Sequence, residues 1–341
     1  MNSPRRFQAI AVVVAVVAAV GLGLWWRGRA VPAPPTAPTA DMAVPPATSA
    51  SRVASLGAVQ APLPDDGTPL RLVFDGLKQR ANGGDARAAC RLAAELEKCE
   101  RVRMRLAQFD EQLGFQQDRL DRETDPQQRT RMQQGIDRFT GARGQQLLQE
   151  SEQCDGTPYV SPAERANLWR AAALGGSLPA LTQYVVGNAF RTRDTLDLLP
   201  QLQVYRNEAE SLALQAAQRG STRATLALAA AYSPNRDTGR RTYLAQVVTP
   251  DAGKSLALYL QAQRALTVEG STSGRSPMRQ AFVNRSIDAL RKTMAADQIA
   301  QAQAQAARWQ QDWAAPADAE SGGTFSRDGG TSDIEPQACS E

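Results

Sequence analysis

Three stretches decide the fold of this chain: Ala81-Asn-Gly-Gly84-Asp-Ala-Arg-Ala88-Ala-Cys-Arg-Leu92-Ala93, Ala173-Leu-Gly-Gly176-Ser-Leu-Pro-Ala180-Leu-Thr-Gln-Tyr184-Val185 and Ala217-Gln-Arg-Gly220-Ser-Thr-Arg-Ala224-Thr-Leu-Ala-Leu228-Ala229. All three obey A-x-x-G-[DS]-x-x-A-x-x-x-[LY]-[AV]. The spacing has a mechanical meaning. One helix ends, glycine takes a left-handed turn, and Asp or Ser caps the next helix. That helix then presents Ala88 and Leu92, Ala180 and Tyr184, or Ala224 and Leu228, each pair four residues apart on one face. Small alanines at these positions let two helices approach closely, as stacked helix pairs require. Coincidence in an Ala-rich chain is the competing explanation. Ala-x-x-Gly alone is weak, but three copies agreeing at six positions make chance unattractive.

The motif resembles the Sel-one-like repeat, a relative of the tetratricopeptide repeat built from stacked helical hairpins. In that family the first pattern alternates with a second helix carrying an aromatic residue between alanines. Arg165-Ala166-Asn-Leu168-Trp169-Arg-Ala171-Ala172 and Lys254-Ser-Leu256-Ala-Leu-Tyr259-Leu-Gln-Ala262 are similar to that second helix. The chain departs from the family where Ala93, Val185 and Ala229 replace its glycine, and the repeat is irregular: Gly84, Gly176 and Gly220 are 92 and 44 residues apart. The resemblance covers about Leu77 to Leu266. It implies an all-α helical-repeat solenoid used for protein contacts, and it brings no catalytic residues with it.

An insertion explains the longer interval. Residues 97–154 read as an antiparallel two-helix arm broken at Thr124-Asp125-Pro126. Val102, Leu106, Phe109, Leu113 and Leu120 form a heptad-like seam, answered by Met132, Ile136, Phe139 and Leu147. Folding at the turn pairs positions whose numbers add to 253, so Leu106 meets Leu147 and Cys99 meets Cys154. Two ordinary solenoid helices of unusual length are the plainer alternative.

The pairing makes Cys99–Cys154 a candidate disulfide closing the base of the arm. Cys90 cannot bond Cys99 on the same helix, because nine residues separate them by about 13.5 Å along the axis. Beside Ala89 and Leu92 it reads as a buried thiol packing as a small hydrophobe. Cys339 can pair between chains, pair with Cys90 by docking of the tail, or stay free, and the sequence does not choose.

Outside the repeats the chain changes character. Residues 1–6 are a short tail with Arg5 and Arg6, and 7–26 form an uncharged apolar run ending in Trp25-Trp26, followed by Arg27 and Arg29. As a helix this run spans about 30 Å, the thickness of a bilayer's hydrocarbon core. A cleaved signal peptide competes, but its apolar region runs only about 7–15 residues and ends in a small-x-small site. An uncleaved transmembrane anchor is the expectation. The flanking arginines balance, so orientation rests on the short tail and on cysteines that favour an oxidising compartment. That places the C-terminal region in the periplasm of a bacterial host, held at the inner membrane. Residues 30–64 form a Pro/Ala-rich linker, 65–315 the helical repeat domain, and 316–341 a disordered acidic tail with six Asp/Glu against Arg327.

Composition excludes much chemistry. Among 341 residues there is no His, which removes His-based nucleophile systems and every His-containing metal site. The 4 Cys lack C-x-x-C spacing. No cofactor, metal or catalytic residue is therefore expected. Arg101, Arg103 and Arg105 are surrounded by acidic residues, which argues against nucleic acid as a partner. The expected function is a membrane-anchored interaction scaffold whose repeats bind a protein or peptide of unknown identity. A cell-envelope enzyme, for instance one acting on peptidoglycan, and an assembly subunit self-associating through the arm are the alternatives.

Overall fold

The computed structural model describes residues 61–234, 242–273, 277–316 and 333–340. The N-terminal tail, the apolar run at 7–26 and all but the last residues of the linker lie outside them. Among the described residues the fold is all-α, without a strand. No described helix is long and apolar enough to cross a membrane.

Each motif stretch is the elbow of a helical hairpin. Helix α1 (Leu70–Asn82) turns into α2 (Ala86–Arg122) at Gly84. After α3 (Pro126–Glu152), α4 (Pro162–Leu174) turns into α5 (Leu178–Val185) at Gly176. In the third hairpin α6 (Leu199–Gln218) turns into α7 (Thr222–Tyr232) at Gly220. The three glycines have φ of 88°, 101° and 93°, a conformation that L side chains adopt only at a cost. Next to Gly176, Gly175 has a second reason to lack a side chain. A Cβ there would sit 2.7 Å from that of Ala86, so α4 could not approach the start of α2 so closely.

The caps follow the motif. Asp85, Ser177 and Ser221 each accept the backbone N–H of the residue three positions on, namely Ala88, Ala180 and Ala224. These alanines, with Leu92, Tyr184 and Leu228, are at most 1 % exposed. Helices pack on their sequence neighbours and on the element one further along: α2 on α1 and α4, α5 on α4 and α6, and α7 on α6 and α9. Helix α9 (Ala252–Ser273) carries the second pattern found at Lys254, and packs in turn on α10 (Pro277–Arg291) and α11 (Ala296–Asp312). The short α8 (Tyr243–Val247) fills the space beside α7. One apolar cluster runs through α4 to α11 around Trp169, Tyr184 and Tyr205, and a second gathers Leu70, Phe74, Leu77, Leu96 and Val102.

The arm exists, but it does not begin at residue 97. Helix α2 runs unbroken through 37 residues, about 55 Å, from inside the hairpin stack out along the arm. Asp125 caps α3 after a three-residue turn, with Pro126 in the first position, where proline is compatible with a helix. The antiparallel register is marked by Lys98 donating to Gln153 at 2.9 Å, the Arg105–Glu150 pair and a stacked Phe109–Phe139 contact at 4.9 Å.

Two expectations at the far end need correction. The stretch 316–341 was expected to be a disordered acidic tail, yet residues 333–340 are ordered and end in a 3₁₀ turn (Pro336–Ser340) packed on α2 and α5. Cys90 was expected to be a free buried thiol. It is buried, but bonded to Cys339 with the Cα atoms 5.6 Å apart. Composition misleads at the tail because Asp333, Ile334 and Cys339 find partners on distant helices, which a local count of Gly, Ser and acids does not register.

Candidate functional site

The four cysteines and most of the buried ions converge on the N-terminal half of α2. Cys90, Ala94, Glu97 and Arg101 recur at steps of 4, 3 and 4, so they share one stripe of the helix. Along this stripe lies the C-terminal segment, antiparallel to α2, with Asp333 beside Arg101 and Cys339 bonded to Cys90. Ile334, Pro336 and Cys339 turn inward, while Glu335, Gln337 and Ser340 face solvent.

Glu97 organises the floor. It is only 2 % exposed, and both carboxylate oxygens are satisfied. Oε1 accepts the Trp169 indole N–H at 2.9 Å, and Oε2 accepts Gln183 Nε2 at 2.9 Å and pairs with Arg191 at 3.0 Å. Burial dominates and pushes its pKa up to about 7, although Arg191 and the indole N–H pull the other way. Asp333 sits across the same groups. It accepts from Arg191 at 2.9 Å, Arg101 at 2.8 Å and Gln183 at 3.0 Å. Burial works to raise its pKa as well, but the Arg191 charge and these hydrogen bonds outweigh it and hold the carboxyl below its ordinary value. Gln183 is used on both sides: while Nε2 donates to the two carboxylates, Oε1 accepts the backbone N–H of Ile334 at 3.2 Å.

A second polar cluster ties the hairpins together. Arg170 on α4 makes a bidentate pair with Glu208 on α6, both contacts 2.7 Å, and the hydroxyl of the motif residue Tyr184 donates to the same carboxylate at 2.7 Å. Burial and this hydrogen bond raise the Tyr184 pKa. The hydroxyl thus stays a donor and holds α5 against α6.

The arm has its own groove, of about 880 Å³, whose walls include Arg101, Met104, Arg105, Gln146, Gln149 and Glu335. Its cations are engaged: Arg101 with Asp333 and Glu335, Arg105 with Glu150. Glu97 and Asp333 have carboxyl pKa values pushed apart, as an acid–base pair would, but Glu97 is sealed under the segment and does not border this groove. Among the described residues no cluster of three or more His, Cys, Asp or Glu is placed to hold a metal ion, and no cysteine is free.

The sequence-derived candidates separate into two groups. Cys99 and Cys154 are joined, with Cα atoms 5.3 Å apart, at the base of the arm. The motif glycines lie at the hairpin elbows and their Ala, Leu and Tyr partners in the core. Sequence reasoning missed the polar floor. It had residue 97 only as the start of the arm and had no reading of Gln183, Arg191 or Asp333 as site residues. A signal existed in part: Cys90, Glu97 and Arg101 fall on one helical stripe, and a cysteine waits in the tail. No family model, curated protein or solved structure matches this chain.

Proposed function

We propose that the chain is a single-pass membrane-anchored protein of the cell envelope, in which an irregular helical-repeat solenoid acts as a protein–protein interaction scaffold on the periplasmic side of the inner membrane. The observation that carries this reading is the C-terminal segment itself, an eight-residue peptide laid across α2 and α5 and held by side chains from separate hairpins. A stack of helical hairpins with a peptide lying across it is how solenoid repeats are used for binding. The three glycine elbows with their capped partner helices support the repeat reading, and the apolar run at 7–26 with its Trp25-Trp26 border supports the anchor. Two disulfides support an oxidising compartment. The reading assigns no reaction to the protein.

Two measurements test it. A reporter active only outside the cytoplasm, fused after Ala315, is expected to be active and membrane-bound; an inactive fusion reverses the orientation, and activity in the soluble fraction points to cleavage. Crosslinking in the native membrane, followed by identification of the adducts, is expected to give a discrete protein adduct. Adducts containing only copies of this chain favour the assembly-subunit alternative.

A further inference from the structure

We propose that the strip formed by α2, α5 and Arg191 is a peptide-binding site for a segment carrying an acidic side chain followed directly by a buried aliphatic residue, and that the chain's own residues 333–340 occupy it as a tethered ligand. This deepens the scaffold reading above and rests on it for the idea that peptides are what the repeats bind.

The argument starts from what the floor recognises. Gln183 accepts the Ile334 backbone N–H, a contact open to any residue except proline at that place. It reads the main chain rather than a particular side chain. Specificity then comes from two guanidinium groups, Arg101 and Arg191, that meet at the Asp333 carboxylate, and from apolar space that takes Ile334, 5 % exposed. Recognition groups for main chain, charge and apolar side chain are therefore set out in order along one strip.

Two of its three readers are also held from beneath. Glu97 pairs with Arg191 and accepts from Gln183 and Trp169, contacts in which residues 333–340 take no part, whereas Arg101 pairs with Asp333 and Glu335 of the segment itself. A site whose reading groups are oriented by a buried carboxylate is preorganised for its ligand. Asp333 shares Arg191 and Gln183 with a carboxylate already there, and the repulsion between the two is outweighed by the two guanidinium groups it meets. The Cys90–Cys339 bond at the far end converts a peptide contact into a permanent one, because a ligand attached to its own receptor is always present at high effective concentration.

The test keeps the full chain. In a Cys339→Ala background, a protease recognition sequence is placed within 320–330 and cut after folding, so that 333–341 remains only by non-covalent contact. A fluorescein-labelled peptide of residues 331–341 carrying Cys339→Ala is then titrated, with anisotropy as the readout. The cut chain is expected to take up the peptide with release of its own segment, or to retain that segment through gel filtration. A peptide carrying Asp333→Asn is expected to bind at least about tenfold more weakly, as loss of one side of a partly buried charge pair implies. The uncut chain with its disulfide intact is expected to take up none. The proposal is overturned if the cut segment is lost while the labelled peptide fails to bind at about 1 mM, a very weak affinity, or if Asp333→Asn binds as well as the parent. Either result would leave the crosslinking test untouched, since the scaffold could still engage a partner through another face. An absence of crosslinks would likewise say nothing about peptide uptake by the purified chain.

Discussion

One helix passes through two environments. Between Ala86 and Val102, α2 is enclosed by α1, α4, the base of α3 and the C-terminal segment, and every side chain from Ala88 to Glu97 is buried, the charged Arg91, Glu95 and Glu97 included. From Arg103 to Arg122 it has little beyond α3 for company, Arg193 reaching only Met104 of this stretch, and only a single stripe of Leu106, Phe109, Leu113, Gln116 and Leu120 is even half-buried. The composition follows the number of neighbours. Where helices close in from several sides, Ala and Cys allow close approach and buried ions must be paired. Where one helix is the only partner, one apolar stripe suffices and Gln, Arg and Asp cover the rest. Both disulfides bind the enclosed half, and none reinforces the arm beyond its base.

Substitutions should expose that asymmetry. The largest effect is expected for Trp169→Ala, which empties a fully buried site and strips one donor from Glu97. A loss of about 3–5 kcal/mol is the usual range for such a truncation, measured by urea unfolding followed by circular dichroism. Next comes the Cys99→Ser, Cys154→Ser double variant, expected to lose about 2–4 kcal/mol. Hydrogen exchange should then show the arm opening faster while the hairpin stack beyond α4 changes little. Free alkylation of both thiols in the unreduced parent protein would remove the basis for this prediction. Gly220→Val places a β-branched residue at φ 93° and is expected to cost about 1–3 kcal/mol; an unchanged melting temperature would require the repeat register to be redrawn. In the arm, Phe109→Ala removes a stacked but half-exposed ring and should cost only about 1 kcal/mol, the scale of an aromatic pair. A cost equal to that of Trp169→Ala would erase the contrast between the two halves of α2.

The dependence on pH probes the enclosed half of α2 in a different way. Glu97 has its pKa raised from 4.5 to about 7, so its contribution is full below pH 4.5 and is lost as pH rises through about 7. Asp333 acts in the opposite sense, since its pKa is lowered: its contribution is present above about pH 3.8 and is lost as pH falls through its folded value. Stability should therefore peak between these limits, and Glu97→Gln should flatten the alkaline side while leaving the acid side in place. Unfolding midpoints across pH 2–8 in both proteins check this, and an alkaline slope that survives Glu97→Gln would assign it to another group.

Much of this was legible in the residues themselves. The elbows at Gly84, Gly176 and Gly220, the caps at Asp85, Ser177 and Ser221, and the buried Ala and Leu four residues apart all follow from contacts within a dozen residues of one another. The Cys99–Cys154 pairing follows from helical register about a single turn. Local hydrogen bonds and periodicity write such features directly into the order of residues. What only the tertiary structure decided is the fate of the C-terminal segment and of the polar floor beneath it. Cys90 and Cys339 are separated by 249 residues, and Gln183 and Asp333 by 150. No periodicity connects positions so far apart. Whether Glu97 is a solvated charge or the buried centre of a network depends on which helices close over it, and that is settled only when α2, α4 and α5 pack and the segment returns across them.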